Sequence, residues 1–161
     1  MNGSQAIMFY FTITSPSNVL TNKNRRDVSA TLRVEANLSI WHKQKLFVRI
    51  EGLTILEFYK SLIEWGKLDH NDKIQAFYYF SIDHDESEGP ILSLVPYRDK
   101  VLMQSIWSVR EEPIDFEQKE ILKAFLSLKQ DLKKEIEHYF NIDLTSFINH
   151  IPYRIHESTS G

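Results

Sequence analysis

VSATLRVEANLSI, residues 28–40, decides the fold class. Val28, Ala30, Leu32, Val34, Ala36, Leu38 and Ile40 alternate with Ser29, Thr31, Arg33, Glu35, Asn37 and Ser39. Period two turns successive side chains to opposite faces, so the stretch predicts one long strand with a buried and a wet face. Strands covered on one side only belong to antiparallel sheets, because the crossover helices of parallel sheets cover both faces. The wet face carries Arg33, Glu35 and Asn37, and an open polar sheet face is a place for a partner to dock.

Reading outward towards the C-terminus, His42, Lys43 and Gln44 make a polar turn, and Leu46, Val48 and Ile50 resume the alternation with Phe47 on the opposite face. That is a hairpin. Thr54, with Glu57 three residues on, has the spacing of a capping box, and Ile55, Leu56, Tyr59, Leu62 and Ile63 form a helical stripe ended by Gly66. Residues 74–82 alternate again with aromatics on both faces, which predicts a central strand. A charged loop, residues 83–89, separates it from a strand at 91–95, and a turn at 96–99 leads into a sixth strand, 101–109. Asp115 and Gln118 then suggest a second capping box. The stripe Ile121, Leu122, Phe125, Leu128, Leu132, Ile136 and Tyr139 continues at helical period, and Asp143 caps one more short helix. Towards the N-terminus, residues 7–13 read as a first strand. They lack the preceding positive charge and the cleavage pattern of a signal peptide.

The expected architecture is α+β: a mainly antiparallel sheet of about six strands, in the order β-β-β-α-β-β-β-α-α, with helices packed on one face. Residues 1–156 are expected to form a single domain, with 157–161 a polar, frayed tail.

Composition narrows the function classes. Ten Phe, seven Tyr and three Trp stand against five Gly, a balance that suits strands and dense cores. The net charge of −3 argues against a phosphate backbone as main partner, and the one basic cluster is Lys23, Arg25 and Arg26. Without cysteine there are no disulfides, thiolate chemistry or Cys-based zinc sites, which fits a reducing, cytoplasmic setting. No segment reaches the ~18 apolar residues of a membrane span.

Chemical signatures are absent. Residues 83–89 imitate a calcium loop, but an EF-hand needs Gly at position six and Glu at twelve, where Glu88 and Leu94 stand. None of the six histidines has a zincin spacing, and neither a phosphate loop nor a nucleophile elbow occurs. The expectation is therefore no catalytic residue, no metal and no cofactor.

Ala36-Asn37-Leu38-Ser39-Ile40, Lys45-Leu46-Phe47, Leu56-Glu57-Phe58, Leu62-Ile63-Glu64-Trp65, Ser105-Ile106-Trp107 and Tyr139-Phe140-Asn141-Ile142 form a recurring pattern. Over about residues 28–150 the chain resembles small uncharacterised cytoplasmic proteins of Bacillus and relatives, some of them like the immunity proteins of polymorphic toxins. The resemblance implies a module that neutralises a basic protein toxin by direct binding. Charge complementarity of an acidic protein would drive such an encounter. Candidate contact residues are Asp83, Asp85, Glu86 and Glu88 of the acidic loop, Glu111 and Glu112 of the later turn, and Arg33 and Glu35 of the wet strand face. The alternative is a small-molecule or enzymatic domain with a pocket lined by Tyr59, Tyr78, Tyr79 and Trp107. Self-association through Trp41 or Phe47 is a third expectation.

Overall fold

A hairpin is the simplest unit of the structure, a computed structural model in which residues 7–24, 26–82 and 84–153 are described. Strands β2 (Glu35–His42) and β3 (Lys45–Thr54) are antiparallel and joined by Lys43 and Gln44. Both turn residues have positive φ, 51° and 68°, the backbone a two-residue turn needs to match strand twist. Strand β1 (Ile7–Ile13), with the bounds the alternation predicts, pairs with β2 and completes a three-stranded sheet ordered β1-β2-β3.

The second sheet has four antiparallel strands in sequence order: β4 (Phe77–Tyr79), β5 (Leu92–Tyr97), β6 (Lys100–Gln104) and β7 (Ile114–Glu117). The protein is therefore α+β and antiparallel, but with seven strands in two sheets rather than six in one. A Val48–Ser108 bridge and a 2.9 Å bond from the Val109 amide to the Phe47 carbonyl join the outer edge of β3 to the loop after β6.

Helix α1 (Val28–Leu32) corrects the long-strand reading of residues 28–40, since β2 begins only at Glu35. The Asp27 carboxylate accepts the Ala30 amide at 3.2 Å, and the Thr31 hydroxyl donates to the Val28 carbonyl. This cap decides a five-residue stretch whose apolar spacing suits either period. Helix α2 (Ile55–Gly66) follows β3 without a loop. Thr54 is its N-cap residue but forms no capping bond; the buried Glu57 instead accepts the Ile82 amide at 3.0 Å.

The strand expected at residues 74–82 shrinks to three residues at a sheet edge. Side chains take the flanking amide donors: Gln118 accepts from Ile74, His70 from Gln75 and Glu57 from Ile82. Asp115 lies in β7, and helix α3 (Gln118–Phe140) starts directly after that strand. Phe140, not Tyr139, closes its buried stripe, and Asn141 ends it in the left-handed conformation at φ 55°.

Both sheets and both long helices meet in one core. Phe125 of α3 lies 5.7 Å from Phe9 of β1, 5.7 Å from Trp65 of α2 and 5.5 Å from Phe77 of β4, all edge to face. Phe47 also belongs to this core, completely buried beside Val48, because it is the extra residue of a bulge in β3, opposite the step from Ile40 to Trp41 of β2, and the bulge turns both side chains inward. It is not on an outer sheet face. Among the described residues no helix is long and apolar enough to cross a membrane.

Candidate interaction surface

Two loops of the second sheet carry most of the candidate residues, and the fold sets them side by side. The first, residues 80–91, is anchored from below by Glu57 through the Ile82 amide. His84 closes it: its Nε2 lies 2.7 Å from the Gly89 carbonyl, which can only accept, so Nε2 carries the proton. Asp85 caps a single 3-10 turn, accepting the amide and hydroxyl of Ser87 at 3.0 and 2.9 Å. Glu88 reaches back to His84 at 3.9 Å.

The second loop, residues 105–113, is held by its serines. Ser105 Oγ accepts the Trp107 amide; Ser108 Oγ accepts the Arg110 amide and donates to the Arg110 carbonyl. With the Val109 bond to β3, the backbone is fixed while the side chains point out. Trp107 is 46% exposed, Val109 63% and Ile106 37%. Large apolar groups left in water on an anchored backbone are the exception that calls for a role.

The loops touch through His84, whose ring lies 5.9 Å from Trp107 at 80°, and through Gly89, which faces Ile106. Gly89 has φ +94°, and a Cβ there would stand 3.1 Å from the Ile106 side chain. Only glycine allows this approach without strain. Asp85, Glu86 and Glu88 thus border the apolar group on one side, while Glu111 and Glu112 follow it on its own loop, with Arg110 the one intervening cation.

Arg33 and Glu35 lie elsewhere. Arg33 ends α1 and Glu35 opens β2, five residues, or about 17 Å, along that strand from Ile40, the partner of Val48. Glu35 and Asn37 do face solvent, as the alternation predicts. Asp83 is outside the described residues. Tyr59 and Tyr79 are packed in the core, Tyr79 with its hydroxyl 3.0 Å from that of Thr54. Burial, with Glu137 nearby, pushes the Tyr59 phenol up to about 12. A cleft beside β1 and a shallower one over the β5–β6 turn are lined by none of Tyr59, Tyr78, Tyr79 or Trp107.

Trp107 is expected from the sequence as a pocket-lining residue, not as a partner contact, and is placed by alternation inside a sixth strand. β6 stops at Gln104 instead. The available signal was the pair Ser105 and Ser108, residues that favour local turns over ladders.

A family model described as "Domain of unknown function (DUF7878)" matches residues 9–138. No curated protein and no solved structure matches the chain.

Proposed function

The chain belongs to the DUF7878 family, and we propose that it is a protein-binding module that captures a basic protein through the two loops around Trp107. The observation that carries this reading is the exposed triad Ile106, Trp107 and Val109 on a backbone pinned to β3. Tryptophan is over-represented among residues that dominate binding energy, and a fixed backbone has less to lose in entropy on association. The five neighbouring carboxylates, Asp85, Glu86, Glu88, Glu111 and Glu112, form a polar rim that favours a cationic partner and speeds its approach. An immunity protein works in this way, neutralising a toxin by occupying it, and a basic toxin is the partner we assign.

The test uses the product of the adjacent gene. Expressed alone it should arrest growth; with the wild-type chain growth should return and the two proteins should co-purify. Absence of both binding and restored growth would sink the proposal.

A further inference from the structure

Strand β1 forms the one edge of the first sheet that no described strand or loop covers, since the edge of β3 is bridged to Ser108. Its sequence, IMFYFTI, contains no charge and no proline. Exposed edges commonly carry such residues to prevent pairing with another chain. Beside this edge a groove of about 700 Å³ runs between β1 and α3, with Phe9 and Phe11 half-buried on one wall and Lys123, Ser127 and Asp131 on the other.

We propose that a second copy of this chain occupies this edge, forming a two-fold dimer through β1 and α3. Antiparallel pairing of β1 with itself about Tyr10 sets Phe9 against Phe11 and Ile7 against Ile13, apolar on apolar. The helix obeys the same axis. Phe9 packs on Phe125, and the Tyr139 hydroxyl donates to the Ser15 carbonyl, so α3 runs alongside β1 in the same direction. One strand residue advances about 3.4 Å and one helix residue about 1.5 Å, which sets Ser127 level with Tyr10. About Ser127, Lys123 of one copy faces Asp131 of the other, and Glu120 faces Lys134, each pair occurring twice. Among the described residues, none of these four charges forms an ion pair within its own chain. A self-complementary patch of this kind is what two-fold symmetry requires. The edge lies on the other side of the first sheet from the Trp107 loops, so the dimer and the proposed partner site do not compete.

Sedimentation velocity of the full chain should give a species of twice its 19.0 kDa mass. Tyr10→Lys, which puts two cations on the axis, should return the monomer with unchanged circular dichroism. Lys123→Asp and Asp131→Lys should each weaken the dimer by about tenfold, since each creates two like-charge contacts. The double swap should restore it. A wild-type monomer at high micromolar concentration would overturn the proposal, as would a dimer indifferent to Tyr10→Lys or singles that the double swap fails to rescue. Binding of an unrelated extended peptide to a monomeric chain would also overturn it, by assigning the edge to a different strand.

Discussion

At the scale of single residues, polar side chains settle what hydrophobic spacing leaves open. Asp27, Glu57, His70 and Gln118 each accept a backbone amide, and each such bond fixes where an element begins or stops. These partners come from elsewhere in the chain for Glu57 and Gln118, so their role is invisible in a window of neighbouring residues. Position was legible where a motif was local: Thr54 is the N-cap residue its spacing predicts, although Glu57 serves another amide. His42 yields a prediction at this scale. Its ring packs edge to face on Phe116 at 5.2 Å, and desolvation, then Lys43 and Arg110, lower its pKa below the ordinary 6.5. A histidine held neutral by the fold takes up its proton more readily when unfolded. Stability is therefore full above pH 6.5 and declines as pH falls below it, levelling off once the folded form also protonates. Urea midpoints at about pH 8 and about pH 5 should differ less in His42→Gln than in wild type; an equal difference would remove His42 as the cause.

At the scale of elements, long periodic segments were legible and short ones were not. The bounds of β1, the β2–β3 hairpin, α2 and most of α3 follow from period and from turn residues. Residues 28–34 were misread because Val28, Ala30 and Leu32 satisfy a strand pattern, while the Asp27 cap and the Thr31 hydroxyl favour a single helical turn. β7 was missed for the converse reason. Ile114 and Phe116 point inward and Asp115 and Glu117 outward, yet four residues abutting a helix look like its cap. Removal of the α1 cap should show how much it matters. Asp27→Ala is expected to cost about 1 kcal/mol in urea unfolding, with Asp27→Asn close to wild type. Equal losses in both variants would show that charge rather than capping is at stake.

At the scale of the whole molecule, one aromatic junction holds two sheets and two helices together. Phe125 is 1% exposed and packs against Phe9, Trp65 and Phe77 from three different elements. Phe125→Ala is expected to cost about 3–5 kcal/mol and to weaken both sheets in a single transition; two separate transitions would contradict one core. The α+β class was legible because it needs only periodicity. The gathering of the acidic loop with Trp107 was not, because residues 84 and 107 meet only when β4 to β6 have paired. Of the candidate contacts, Asp85, Glu86, Glu88, Glu111 and Glu112 lie on the two loops that meet at Trp107, while Glu35 stands about 17 Å along β2 from Ile40 and Arg33 precedes that strand at the end of α1.

The central claim, that Trp107 and its acidic border form the partner site, is tested most directly by the affinity of the adjacent gene's product for three forms of the chain. Against wild type, Trp107→Ala should bind about 30-fold more weakly or worse, the loss typical of a dominant contact residue. Arg33→Ala, away from the loops, should bind within about twofold of wild type, as a residue outside the contact does. Unchanged binding by Trp107→Ala, or a larger loss from Arg33→Ala, would place the site away from the two loops and contradict the account.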